Sequence, residues 1–204
     1  MNPSLSLKAQ DEPCKPDCLS DNWQPPYPNT PYIFPILLED CDITILVKFR
    51  WRNACSTYYD YYFEAFEWPS EDIDENCINV NFGGIAGFID HLTKKLIEMD
   101  PINASPPYPC NPINCPGDPP THFHNPPNSC FDNWRVIKGA CWKLDSQKRK
   151  MAVCQEGTCC LERFKVCISS DGTRREATKD QVVIPGVCDP PEQNCYPICG
   201  SVYR

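Results

Sequence analysis

The alternation of apolar and polar positions is clearest over residues 41–52. Cys41, Ile43, Ile45, Val47, Phe49 and Trp51 alternate with Asp42, Thr44, Lys48, Arg50 and Arg52, and only Leu46 breaks the polar side. A period of two predicts a strand with one buried face. After a loop over 52–57, Tyr58 to Trp68 (YYDYYFEAFEW) predicts a second strand, paired with the first as an antiparallel hairpin. Both faces of this strand are aromatic. Strict alternation places Tyr59, Tyr61, Phe63 and Ala65 on one side, with Tyr58, Tyr62, Phe66 and Trp68 on the other. A two-layer unit buries one face of its hairpin, so the second set needs another cover. The candidates are the chain's own proline-rich arm, a neighbouring copy, or a sugar stacked on the rings.

Residues 71–76 (EDIDEN) predict an acidic turn, and Ile78 to Phe82 a third short strand. Gly83-Gly84 then opens a helix in which Ile85, Phe88, Ile89, Leu92, Leu96 and Met99 follow helical spacing, until Pro101 stops it. A helix laid on one face of a small sheet is the economical arrangement. Further along, Trp134–Leu144, Lys150–Cys154, Cys159–Ser169 and Thr173–Val183 predict successive strands. Asp171-Gly172 is a hairpin signal between the last two, because glycine takes the positive φ such a turn requires.

Proline interrupts these patterns twice. Residues 11–38 form an arm punctuated by prolines and aromatics, extended and unable to be a central strand. Its apolar end, Tyr32 to Leu38, must pack on its own chain or on a neighbour. Residues 101–129 hold ten prolines and no apolar periodicity, which predicts a linker or a covering loop. The expected fold class is therefore mainly β with one amphipathic helix. An α+β domain (41–100) follows a signal-like start and extended arm (1–40), and a proline-rich linker (101–129) leads to a disulfide-rich β-meander domain (130–204).

Composition adds the compartment. There are sixteen cysteines in 204 residues, and no pair has CxxC spacing, which disfavours zinc ribbons, iron–sulfur sites and thioredoxin-like centres. An even, dispersed set predicts a disulfide framework built from Cys14, Cys18, Cys41, Cys55, Cys77, Cys110, Cys115, Cys130, Cys141, Cys154, Cys159, Cys160, Cys167, Cys188, Cys195 and Cys199. The adjacent Cys159 and Cys160 should leave opposite faces of a strand and pair elsewhere, not with each other. Leu, Ile, Val and Phe number 43, roughly a fifth of the chain and close to the level at which disorder becomes the default. Covalent links compensate for that shortage. The opening Met1 to Gln10, followed by Asp11-Glu12, resembles the tail of a bacterial secretory signal. No segment has the length and apolarity of a membrane-spanning helix.

The net charge of −8 divides unevenly, −11 over residues 1–129 and +3 over 130–204. This pattern does not point to nucleic acid, and it suits head-to-tail association of like chains. Lys148, Arg149, Lys150, Arg174 and Arg175 fall at expected hairpin tips, as solvated charges or as a docking patch for an acidic neighbour.

Candidate chemistry is sparse. His122 and His124 share one side of an extended segment, but in a proline-rich loop they read as solvent-facing. The run Glu71, Asp72, Asp74, Glu75 lacks the spacing and glycine of a calcium-binding loop. There is no Gly-x-Ser-x-Gly elbow and no His-Glu-x-x-His. No catalytic residue, metal ligand or cofactor is therefore expected. The expected function is that of a secreted or surface-displayed structural protein, not an enzyme, acting by self-association as a filament, surface-layer or adhesive subunit. Tyr32, Phe34, Ile36, Leu38, Tyr58, Tyr62, Phe66 and Trp68 are its candidate interface, through head-to-tail or strand-donating contacts between copies. The rival reading is a monomeric glycan- or protein-binding module using the same aromatics, and behind it a secreted hydrolase.

Overall fold

In the computed structural model, the described residues are 14–68, 75–102, 128–145, 149–154, 159–172, 174–188, 195–198 and 202–203. The fold is mainly β, with helices on one face. Strand β1 (Tyr32–Leu38) pairs antiparallel with β2 (Ile43–Ala54), which pairs antiparallel with β3 (Tyr58–Glu67). The segment expected as a third strand is instead a short helix, α1 (Glu75–Phe82). Five residues of period two do not exclude a helix. Ile78 and Phe82, four apart, share a helical face, and both pack into the core while Val80 is exposed. Gly83 and Gly84 adopt φ of 69° and 95°, a left-handed break open to glycine, and α2 (Ile85–Met99) follows as the main amphipathic helix. It ends at Asp100, whose amide donates to the Leu96 carbonyl just before Pro101.

The second half of the chain supplies β4 (Cys130–Gly139), β5 (Cys141–Asp145), β6 (Lys150–Val153), β7 (Cys159–Ile168) and β8 (Arg175–Ile184), then the short strands β9 (Val187–Cys188), β10 (Cys195–Pro197) and β11 (Val202–Tyr203). Three of these, β6, β7 and β8, lie where the alternation placed them, and Gly172 turns the β7–β8 hairpin at φ 73°. They do not form a free-standing layer. The order β10-β5-β6-β3-β4-β7-β8 inserts β3 among them, with β2 and β1 on its other side. Along one edge β3 meets two partners: β4, parallel, over Tyr59–Phe63, and β6, antiparallel, over Ala65–Glu67. The run expected as one strand over 134–144 breaks at Ala140, where β6 wedges in. At Gly139 a side chain would stand 2.5 Å from a Val153 methyl, so only glycine permits that approach.

The division expected at 101–129 therefore does not divide the sheet, whose strands come from both sides of it. One hydrophobic core also spans both. Phe88, Ile89, Leu92, Leu96 and Ile97 of α2 pack with Ile45, Val47, Phe49, Tyr61 and Phe63 from the first half and with Trp134, Val136, Phe164 and Val166 from the second. Each such side chain contributes about 1.5–3 kcal/mol on burial.

Five described disulfides frame this core: Cys14–Cys159, Cys18–Cys55, Cys41–Cys77, Cys130–Cys167 and Cys154–Cys195. Cys141 and Cys160 are disulfide-bonded as well. Cys159 pairs with Cys14 and not with its neighbour Cys160, as the opposite faces of β7 require. Cys110, Cys115 and Cys199 lie outside the described residues, and Cys188 is described in its backbone alone. The protein is thus disulfide-stabilised, which points to an oxidising, extracellular environment. Among the described residues no helix is long and apolar enough to cross a membrane.

Candidate functional site

The eight residues expected at an interface separate into three groups, and a β-bulge explains the split. Between β2 and β3 the register shifts, with Lys48 opposite Ala65 and Phe49 opposite Phe63, so Glu64 is an extra residue. A bulge moves every later side chain to the opposite face. Phe66 and Trp68, expected beside Tyr58 and Tyr62, therefore join the core face, where Phe66 meets Phe63 at 5.6 Å and Trp142 at 5.1 Å. Ile36 and Leu38 of β1 are also core residues of their own chain.

Tyr58 and Tyr62 form the second group. They stay on the back face, and the proline-rich arm of the same chain covers that face. Trp23, 1% exposed, lies 5.6 Å from the Tyr62 ring and packs with Ile137 and Leu161. Of the three covers considered for the second aromatic face, this is the chain's own arm. Burial pushes the Tyr62 phenol up to about 12, reinforced by the Glu64 carboxylate.

The arm is held by charge as well as by packing. Arg50 and Arg52 stand at the polar positions of β2, yet both are buried. Arg50 donates to the carbonyls of Pro25 at 2.7 Å and Asn29 at 2.5 Å, and pairs with Glu64. Arg52 donates to the carbonyls of Asp17 and Cys18 and lies over the Trp23 ring at 4.8 Å. Beneath them Asp60, fully buried, accepts from Arg52 at 2.9 Å and from Arg135 at 2.7 Å. Arg135 reaches on to both Asp17 oxygens and stacks on the Tyr58 ring at 4.2 Å. Its hydrogen bonds hold the Asp17 carboxyl below the usual carboxylate range despite partial burial. Burial opposes the Arg135 charge, but Asp60 and Asp17 more than restore it and raise its pKa. Cys14–Cys159, Cys18–Cys55 and a two-way bridge between the Gln24 and Trp51 backbones complete the strap. Alternation alone reads Arg50 and Arg52 as solvent-facing. The signal that they are not is the aromatic pair, Tyr58 and Tyr62, on the same face.

Tyr32 and Phe34 are the third group, and they mark the part of the arm that stays open. Among the described residues strand β1 pairs only with β2, so its outer edge is a sheet edge. No charged residue lies between Tyr32 and Leu38. Tyr32, Ile33 and Leu37 are 46%, 50% and 59% exposed. Ile33, Pro35 and Leu37, two apart, share the back face, with the half-buried Leu46 opposite Pro35. On the other face a cleft of about 260 Å³ is lined by Tyr32, Ile33, Phe34, Phe49, Trp51, Pro101 and Ile102. A second cleft, about 460 Å³, runs between the start of α2 and β10 and includes Glu75, Asn79, Gly84 and Tyr196. At β8, Val183 and Ile184 are 42% and 38% exposed.

Several sequence candidates resolve differently. Arg175, expected at a solvated tip, is buried and pairs with Asp100 at 2.6 Å. The neighbouring Tyr61 phenol is held well above its ordinary pKa by burial and by the Asp100 charge. Glu75 begins α1, whereas residues 71–74, His122, His124 and Lys148 lie outside the described residues. Cys18, Asp21 and Cys55 cluster closely enough to hold an ion, but the two thiols are spent in a disulfide.

No protein-family model, curated protein or solved structure matches this chain.

Proposed function

We propose that this protein is a secreted or surface-displayed structural subunit that acts by self-association, not by catalysis, its copies joining along the open edges of the sheet. The observation that carries the reading is β1. It is an edge strand with no charge, three exposed apolar side chains and a framework that pins it by disulfides and buried arginines. Monomeric proteins usually guard such an edge with lysines or cover it, because exposed apolar edges pair with other chains. Pro35 limits main-chain pairing there, so side-chain burial of Ile33 and Leu37 supplies the contact. The exposed Val183 and Ile184 of β8 lie on a different edge, and an edge-to-edge contact between unlike strands is head-to-tail, open wherever its rotation does not close a ring. Repetition of such a contact builds a fibre.

Negative-stain imaging and sedimentation of the disulfide-intact protein test this reading. Fibres or a concentration-dependent series of oligomers are expected, and the double variant Ile33→Lys with Leu37→Lys should stay monomeric with unchanged unfolding. A wild-type chain that sediments at its monomer mass of 23.3 kDa at high concentration, without fibres, removes the proposal. The cleft beside Trp51 favours a second reading, a binding module for a flat apolar face such as a sugar ring. Saturable quenching of tryptophan fluorescence by oligosaccharides, lost in Trp51→Ala, would select it.

A further inference from the structure

Beneath α2 the sheet buries a closed ring of four charges. Lys138 of β4 and Glu162 of β7 have fully buried side chains, while those of Asp90 of α2 and Lys179 of β8 are 30% and 26% exposed. Lys138 Nζ lies 2.7 Å from Glu162 Oε2 and 3.4 Å from Asp90 Oδ1, with Thr93 Oγ1 at 3.5 Å. Lys179 Nζ lies 2.8 Å from Glu162 Oε1 and also pairs with Asp90 Oδ2. Burial works against the Lys179 ammonium, but Asp90 and Glu162 outweigh it and raise its pKa. Lys138 Nζ is thus shut away from water between two carboxylates, and the partly exposed Lys179 ammonium faces the same two from the other side.

A buried ion pair carries a desolvation cost of several kcal/mol per ion. A neutral amide in its place would not. Of the two helices, α1 is tied through Cys77 to Cys41, whereas α2, whose apolar side chains pack into the core, has no cysteine.

We propose that Lys138 and Asp90 join through an intramolecular amide, formed by the folded chain itself. Glu162 takes a proton from the Lys138 ammonium. The freed Nζ lone pair attacks the Asp90 carboxyl carbon, and the tetrahedral oxygen at Oδ2 bears its charge against the Lys179 ammonium. The other carboxyl oxygen leaves as water, carrying the proton held by Glu162 and the second Nζ proton. One C–N bond forms and one C–O bond breaks. Ammonium plus carboxylate becomes amide plus water, with no oxidant and no co-reactant. Holding both partners in place supplies an effective molarity that in favourable cases is on the order of 10⁵ M or more. The proposal is independent of whether the chains associate.

Mass spectrometry of the folded protein, reduced and alkylated only afterwards, reads the result. The chain should be lighter than its alkylated sequence by one water. Trypsin should fail to cut after Lys138 and should release a branched peptide joining residues 53–94 to residues 136–143. Glu162→Gln, which keeps the shape but removes the proton acceptor, should restore the full mass with an unchanged near-ultraviolet spectrum. Asp90→Ala, at a partly exposed helix position, should restore it too if the first variant folds poorly. A wild-type chain of full mass overturns the assignment. So does a branch on Lys179 in place of Lys138, or a missing water that persists in a folded Glu162→Gln protein.

Discussion

The two faces of β3 are built on different physics. Its core face, carrying Tyr61, Phe63 and Phe66, is buried by aliphatic and aromatic side chains from α2 and neighbouring strands. Its back face, carrying Tyr58, Asp60 and Tyr62, is covered by a strap without regular structure, held by arginine–carbonyl hydrogen bonds, one buried carboxylate and two disulfides. A chain poor in aliphatic residues can afford one conventional core. On the other face it satisfies the arm's carbonyls with guanidinium groups, which can donate five hydrogen bonds in a fixed plane. The hydrophobic face tolerates graded loss, whereas the polar face depends on complete pairing, since a half-satisfied buried network is worse than none.

That contrast orders the mutational effects. Asp60→Ala should be the most damaging, because it strands Arg52 and Arg135 without their shared carboxylate. A loss of roughly 3–5 kcal/mol is expected, read from urea unfolding, with limited proteolysis first cutting within residues 14–31. On the other face Leu92→Ala should cost about 3 kcal/mol and leave the arm protected from protease. If the two variants show the same cleavage pattern, the distinction between the faces fails. Replacing Cys14 and Cys159 together by serine opens a link spanning 145 residues of sequence and should cost roughly 2–4 kcal/mol, chiefly by freeing the unfolded chain.

Titration separates the faces more gently. The Tyr62 phenol ionises at about 12 in the folded protein, above its ordinary value of 10.0. A raised folded pKa means that its stabilisation is complete below the unfolded value and is lost as pH rises through the folded one. Tyrosine absorbance should therefore show a late component near pH 12, and Trp23→Ala, by uncovering the ring, should shift it downward. Asp17 behaves in the opposite sense. Its folded pKa is depressed by Arg135, so its contribution is present above the unfolded carboxylate value and lost as pH falls through the folded one. The arm should become more accessible to an acid-active protease below about pH 4, by a small margin because Asp17 is partly exposed.

What could be read from the chain follows the reach of each signal. The alternation over 41–52 and the helical spacing of Phe88, Leu92 and Leu96 are local, and both elements form as the pattern dictates. The placement of Phe66 and Trp68 was not legible, because one inserted residue, Glu64, inverts the face and nothing nearby announces it. Nor was the pairing of one edge of β3 with both β4 and β6, since partners from the two halves of the chain obey no local rule. Of the open site, Tyr32 and Phe34 are legible from their proline-rich surroundings. Ile33 and Leu37 are not, because alternation is the same whichever side of β1 faces the core, and the core takes Ile36 and Leu38. Lys138 and Glu162 fall in phase with the core residues Trp134, Val136, Phe164 and Val166, yet a charged residue in a strand reads by itself as solvated. Only the helix lying above them reveals otherwise.

The position of β3 also governs how the chain reaches its fold. Its parallel partner begins at Cys130, and β4 in turn needs β7, which ends at Ile168. Contacts of such long sequence separation form slowly, since the intervening loop must close before any pairing is gained. During synthesis the aromatic strand therefore waits with one edge bare while a hundred further residues emerge. The risk of capture by another nascent copy is greatest in that interval, and a delay in translation between residues 68 and 168 should lower the soluble yield.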